Sequence, residues 1–82
     1  MNIENIALQI KDIVVKVLDS SEFSITVDSE IKDITEWDSM RHVEIISAVE
    51  KHFNIEFDLL EIVDFESIKD IAEAVKKIIN EA

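Results

Sequence analysis

Apolar residues recur every three or four positions in three stretches of the chain, a spacing that places them on one face of an α-helix. This spacing predicts a helix from Ile3 to Leu18, a second from about Ser39 to Phe53, and a last one that begins after Ser67. A further segment, about Leu59 to Val63, has room for a short helix only. The predicted fold is all-α: a four-helix bundle with three long helices, one short helix and a long first connection.

The apolar face of each long helix supplies the expected core. The last helix also has a near capping box, because Ser67 stands at its N-cap position and Asp70 follows three residues later. In chain order, the residues expected on the three apolar faces are Ile3, Ile6, Ala7, Ile10, Ile13, Val14, Val17 and Leu18; Val43, Ile46, Val49 and Phe53; and Ile68, Ile71, Ala72, Val75, Ile78 and Ile79.

The first connection, Ser20 to Asp38, is too long to be a simple turn. Its apolar residues indicate that it packs over the helices. Alternation within Ser24–Asp28 resembles a strand, but a strand without a partner makes no sheet. The apolar residues of the connection are Phe23, Ile25, Val27, Ile31, Ile34 and Trp37.

The same connection invites comparison with a calcium-binding loop, because Asp28 and Glu30 alternate as ligands would. The pattern then fails at three decisive positions. Lys32 stands at the fifth position, Asp33 replaces the glycine at the sixth, and Ser39 stands where a bidentate glutamate is required. A specific EF-hand is not expected, and no metal site is predicted.

Composition narrows the class of protein further. The 82 residues are expected to form a single domain, 1–82, because the chain is too short to build two cores. Glycine and proline are absent, which disfavours tight hairpin turns and favours helices joined by Asp, Ser and Asn. Cysteine is absent too, so any thiol chemistry requires a thiol brought in from outside.

The formal net charge of −11 excludes nucleic acid as a ligand, since a phosphate backbone would be repelled. Protein partners should therefore present basic patches. The N-terminal stretch lacks the pattern of a secretory signal, and no apolar run approaches membrane-spanning length. A monomeric, cytoplasmic protein without a membrane partner is expected. His42 and His52 lack the i, i+4 spacing of a helical metal site, and both are expected to be partly exposed.

The most informative segment is Asp38-Ser39-Met40, where the polar connection ends and the second helix begins. The unpaired N–H groups and the positive dipole end of a helix favour an anionic group at this position. Ser39 is therefore a candidate attachment point for a phosphate-linked group. The plain alternative is that Asp38 or Ser39 only caps the helix.

The context of this segment resembles the acyl carrier protein family. That family has Asp-Ser-Leu or Asp-Ser-Met, then a branched apolar residue and a Glu, then a Phe that closes the helix. The resemblance continues without a gap to Phe65-Glu66-Ser67-Ile68 and the last helix. The matching residues of the motif are Asp38, Ser39, Met40, Val43, Glu44, Phe53 and Ile55.

The resemblance implies that a phosphopantetheinyl transferase attaches 4′-phosphopantetheine to Ser39, with Asp38 helping to engage that enzyme and its metal. The arm would hold an acyl or aminoacyl group as a thioester for acyl-activating or synthase enzymes, and the protein itself would catalyse nothing. An acyl chain would find a pocket lined by Val43, Ile46, Phe57 and Ile62, although the same residues at helical spacing are first of all core. Trp37 is expected either to anchor the connection on the core or to lie beside the arm.

Two departures from the family suggest a specialised, stand-alone carrier. Members that serve bulk fatty-acid synthesis usually have Gly shortly before the Asp-Ser pair and a strongly acidic second helix. Here Glu36 and Trp37 precede the pair, and the segment 39–57 has two cations against three anions. The Trp-Asp-Ser-Met motif is closer to carriers that work with a dedicated ligase or synthase. The residues expected to contact partners are Met40, Arg41, Val43, Glu44, Glu50 and Lys51.

A rival from another class is a small acidic helical protein that inhibits a basic enzyme, similar in size and charge to nuclease immunity proteins. Such a protein would need no modified serine. Composition alone does not separate the two classes.

Overall fold

The computed structural model describes residues 2–19 and 25–81 of the chain. The predicted all-α bundle is confirmed, with three long helices and a short third one after a long first connection. The four helices are α1 (Ile3–Leu18), α2 (Ser39–Phe53), α3 (Leu59–Asp64) and α4 (Ile68–Glu81).

The helix ends show how a chain without glycine or proline stops its helices. The side chain of Asn2 accepts a hydrogen bond from the Asn5 N–H (2.8 Å) at the start of α1. Asp19 and Asn54, which follow α1 and α2, adopt left-handed backbone conformations with φ of 53° and 56°. Asp and Asn are the residues that tolerate this conformation best after glycine, so they end the helices here.

The start of α4 nearly follows the predicted capping box. The Asp70 N–H donates to Ser67 Oγ (3.1 Å), as expected for an N-cap serine. The carboxylate of Asp70 accepts from the N–H of Glu66 (3.0 Å), one residue before the position that a strict box requires. Within the described residues, an isolated antiparallel bridge pairs Glu30 with Ser67, and no β-strand is present.

The core forms where α1 packs against both α4 and α2. It consists of buried aliphatic side chains together with Trp37 and Phe57. No helix in the described part of the chain has the length and apolarity needed to span a bilayer. The buried apolar residues are Ile6, Ala7, Ile10, Val14, Leu18, Ile25, Ile34, Trp37, Ile45, Ile46, Val49, Phe57, Ile68, Ile71, Ala72, Ala74 and Val75.

The apolar face of α2 differs from the expected one. Ile45 is buried, whereas Val43, predicted to be buried, is 62% exposed. At 100° per residue, Val43 lies about 160° around the helix from Ile45 and about 120° from Val49. The prediction for Val43 was therefore wrong, because its spacing to Ile46 alone did not locate the centre of the apolar face.

The first connection packs on the bundle where it is described, as its apolar residues predicted. Ile25, Ile34 and Trp37 are buried in the core, and the Ile31 N–H donates to the carbonyl of Glu66 (2.8 Å). The predictions for residues 20–24, which include Phe23, lie outside the described part of the chain.

Truncation of two valines on α2 should distinguish a buried position from an exposed one. Val49→Ala should lower the free energy of unfolding by about 2 kcal/mol, because it removes buried methyl groups from a packed site. Val43→Ala makes the same chemical change on an exposed side chain and should alter it by less than about 0.5 kcal/mol. Urea denaturation of both variants measures this difference, and equal losses would contradict the assignment of the buried face.

Candidate functional site

Ser39 is the first residue of α2, and its side chain is exposed. The N-cap is Asp38, whose Oδ1 accepts a hydrogen bond from the Arg41 N–H (2.9 Å). The carbonyl of Asp38 accepts the His42 N–H (2.9 Å), so regular helix bonding begins there. The N–H groups of Ser39 and Met40 belong to the first turn, where no acceptor within the helix is available. An exposed hydroxyl thus lies at the positive end of the helix dipole, and these residues fit a phosphate ester.

The backbone before Ser39 is held by local hydrogen bonds. A single 3₁₀ turn spans Ile31–Asp33, and the Trp37 N–H donates to the carbonyl of Ile34 (3.0 Å). The Asp38 N–H donates to the carbonyl of Glu36 (3.1 Å). Ser39 is therefore presented on a fixed turn, as recognition by a modifying enzyme requires.

Trp37 and His42 form a hydrogen-bonded chain beside Ser39 that reaches α3. The indole Nε1–H of Trp37 donates to Nδ1 of His42 (2.9 Å), and Nε2 of His42 lies 2.8 Å from the carbonyl oxygen of Ile62. Since a carbonyl can only accept, Nε2 carries the proton and the imidazole is the neutral Nε2–H tautomer. We call this chain the Trp37–His42–Ile62 bridge. The first alternative for Trp37 holds, because its ring is buried in the core, and the same ring lines a groove together with Ser39.

A groove of about 480 Å³ opens next to Ser39, between α2, α3 and the first connection. Val43 and Ile62 line it, as expected for the acyl pocket. Ile46 and Phe57, the other two residues of that expected pocket, are buried in the core. Further apolar walls come from Ile31, Leu59, Val63 and Phe65.

The predicted partner-contacting residues fall into two groups along α2. Met40, Arg41, Val43 and Glu44 are exposed within the first two turns, next to Ser39. There the Arg41 guanidinium Nη1 lies 3.3 Å from Glu44 Oε1, which largely balances both charges.

Glu50 and Lys51 lie near the other end of α2, about 17 Å from Ser39 along the helix axis. Lys51 is exposed, whereas Glu50 is half-buried and its carboxylate accepts the Phe57 N–H (2.8 Å). Glu50 therefore orders the connection between α2 and α3, a role that the sequence did not indicate.

Sequence reasoning also missed an apolar surface. Leu59, Leu60 and Val63 of α3 are exposed, as are Met40 and Val43 at the facing end of α2. Val43, Leu59 and Val63 line one groove, whereas Leu60 lies on the side of α3 that faces α4. We call Val43, Leu59 and Val63 the exposed apolar patch. The sequence did contain a signal for this surface, because a helix as short as α3 cannot bury several large apolar residues on one side. The pattern did not indicate which of these residues face water.

The acidic first connection does not resemble a calcium loop in three dimensions. The ammonium of Lys32 lies 3.3 Å from Glu30 Oε2, so a positive charge already lies beside one of the carboxylates that would bind calcium. The hydrogen bond and charge of Glu30, followed by the charge of Asp33, raise the pKa of Lys32 above its ordinary value. Among residues 2–19 and 25–81, no three His, Cys, Asp or Glu side chains converge to hold a metal ion.

Known proteins resemble this chain in sequence and in fold. A family profile described as the phosphopantetheine attachment site matches residues 8–75. The acyl carrier protein of Cyanidium caldarium is 34% identical over 77 residues, which cover 94% of this chain and 86% of that protein. The solution NMR structure of the holo acyl carrier protein from Geobacter metallireducens matches with a TM-score of 0.79 and 28% identity, over 92% of this chain and 86% of that one.

These similarities and the helical fold define a phosphopantetheine-bearing carrier. The chain belongs to the acyl carrier protein family. Its prosthetic group is 4′-phosphopantetheine, and it is a carrier rather than an enzyme. Family members act with phosphopantetheinyl transferases and synthase enzymes. Membership decides against the rival class of acidic inhibitor proteins.

Two substitutions of the N-cap should separate its hydrogen bond from its charge. Asp38→Ala should lower the free energy of unfolding by about 0.5–2 kcal/mol, because the Arg41 N–H loses its acceptor. Asp38→Asn keeps a good capping side chain and should cost only a small part of that. Thermal unfolding followed by circular dichroism tests both, and an Asp38→Ala variant as stable as the parent would show that the cap contributes nothing.

Proposed function

We propose that Ser39 is the attachment residue, and that the chain carries an acyl or aminoacyl group as a thioester on its 4′-phosphopantetheine arm. The group is delivered to partner enzymes of fatty-acid, polyketide, peptide or related specialised biosynthesis. The observation that carries this proposal is the exposed Ser39 hydroxyl on the first turn of α2, directly after the Asp38 cap. The protein acts as a cytoplasmic monomer.

Attachment is a phosphoryl transfer in which Ser39 Oγ is the nucleophile. The bond from Oγ to phosphorus forms while the diphosphate bond of coenzyme A breaks, and the nucleotide part leaves. The hydroxyl proton passes to the transferase. Asp38 directly precedes the reacting serine and engages the transferase and its metal, in addition to capping α2. When bound, the prosthetic group supplies the thiol that the cysteine-free chain lacks.

The chain itself contributes a fixed position for Ser39 and a favourable environment for the phosphate. The N–H groups at the start of α2 favour the phosphodiester, and the buried Trp37 holds the preceding turn in place. A tethered substrate is then delivered at high effective concentration to each partner enzyme.

The charges of α2 support a dedicated partner. Arg41 is paired with Glu44 and Lys51 is exposed, so the helix that follows Ser39 does not present a uniformly acidic surface. A loading enzyme that docks here offers an apolar surface to the exposed apolar patch and an acidic or neutral group opposite at least one cation. Charge patterns of this kind mainly control the rate of encounter and the rejection of wrong partners.

Replacement of Ser39 tests the attachment site. Ser39→Ala should abolish the mass gain that follows incubation with coenzyme A and a phosphopantetheinyl transferase, because the nucleophilic oxygen is gone. Circular dichroism should be nearly unchanged, since Asp38 and not Ser39 makes the capping hydrogen bond. Ser47→Ala, which changes another exposed serine of α2, is the matched control and should be modified like the parent. Retention of the full mass gain in the Ser39 variant would refute the assignment.

Reversal of the two cations of α2 tests partner selection. Arg41→Asp combined with Lys51→Glu should speed acylation by fatty-acid enzymes, whose docking surfaces are basic, and slow acylation by the native loading enzyme. Lys16→Asp combined with Lys77→Glu makes an equal change of net charge on exposed residues of α1 and α4, and should have little effect. Equal changes of rate in the two double variants would show that selection depends on total charge and not on Arg41 and Lys51.

A further inference from the structure

The Trp37–His42–Ile62 bridge crosses the space between α2 and α3 one helical turn beyond Ser39. Both ring nitrogens of His42 are engaged, one by the indole N–H (2.9 Å) and one by the backbone of α3 (2.8 Å). His42 is half-buried and lines the groove next to the serine. Any group that passes from Ser39 into the bundle between these helices must therefore displace the bridge.

The protein interior beyond the bridge consists of buried aliphatic side chains. Ile45 and Ile46 lie one turn further along the same side of α2 as His42, and they are 0% and 3% exposed. Ile68 at the start of α4 is also fully buried. Because protein cores leave few voids, an entering chain would have to push these side chains apart.

Displacement of the bridge would also leave polar groups without partners. The indole N–H, the imidazole and the Ile62 carbonyl would each lose a hydrogen bond in a partly buried site. Three unpaired polar groups together cost about as much as the burial of several methylenes gains, so the gain from burying an alkyl chain is largely offset. The outer groove has an apolar lining that includes Val43, Leu59 and Val63, and it can be reached from Ser39 without breaking any of these bonds.

We propose that the Trp37–His42–Ile62 bridge keeps the cargo out of the bundle, so that the carried group lies in the outer groove. This inference rests on Ser39 as the attachment residue. The cargo class that follows is a short acyl group, because the groove is open to solvent and would leave much of a long alkyl chain in contact with water. His42 is then a residue that determines cargo specificity, with Trp37 holding its imidazole in the required tautomer.

The test compares two cargoes on the same protein. A phosphopantetheinyl transferase loads the chain from butyryl-coenzyme A or decanoyl-coenzyme A, and intact mass confirms each product. Absence of any loading on Ser39 would refute the proposed attachment itself, before the bridge is tested. For the loaded proteins, the rate of thioester cleavage by hydroxylamine reports shelter from solvent, and amide NMR shifts of Ile45, Ile46 and Ile68 report entry into the core.

In the parent protein the two thioesters should be cleaved at similar rates, and the core amide shifts should be the same with either cargo. His42→Leu removes the bridge, and its decanoyl thioester should be cleaved at least about fivefold more slowly than its butyryl thioester, since each buried methylene favours the sheltered state severalfold. His52→Leu is the matched control, because it replaces an exposed histidine of the same helix that bonds to Gln9 instead. It should behave like the parent.

Two results would overturn the inference. The first is slow decanoyl cleavage with shifted core amides in the parent protein, which needs no variant and holds even if His42→Leu fails to fold. The second is a folded His42→Leu variant with the parent's rates and shifts. His42→Gln, whose amide can accept from the indole and donate to the carbonyl, should restore exclusion of the decanoyl chain.

Discussion

The burial of one face of α1 is the interaction on which the rest of the structure depends. Ile6, Ile10 and Val14 are fully buried where α1 contacts both α2 and α4. Neither of those helices could bury its own apolar face without this central one, because a single amphipathic helix has no stable fold in water. The short α3 is different, since Leu59, Leu60 and Val63 remain exposed, Ile62 packs against the core, and the His42 side chain bonds to its backbone.

The core fixes the position of Ser39, although Ser39 itself is exposed. Trp37 is 6% exposed and anchors the end of the first connection, so that Asp38 and Ser39 emerge from the surface at a fixed place. The same indole reaches His42, and through it α3. One buried aromatic residue thereby positions Ser39 and shapes the groove beside it.

The distribution of surface properties suits a carrier that is handled by several enzymes. Large apolar side chains gather around Ser39 on α2 and α3, where a stable monomer gains nothing from exposing them. Charges near the serine are partly balanced by the pair of Arg41 and Glu44. The surface in this region is thus more apolar and less charged than the net charge of the whole chain indicates.

The sequence by itself determined the helices, the cap of α4 and the class of protein. Helical periodicity is a local property, so the bounds of α1 and α2 and the N-terminal position of Ser39 could be predicted from spacing alone. Tertiary packing decided what local spacing cannot encode. It buried Ile45 and exposed Val43, because the orientation of α2 is set by its contacts with α1. It also joined His42 to the carbonyl of Ile62, a backbone atom twenty residues away that no side-chain pattern reveals.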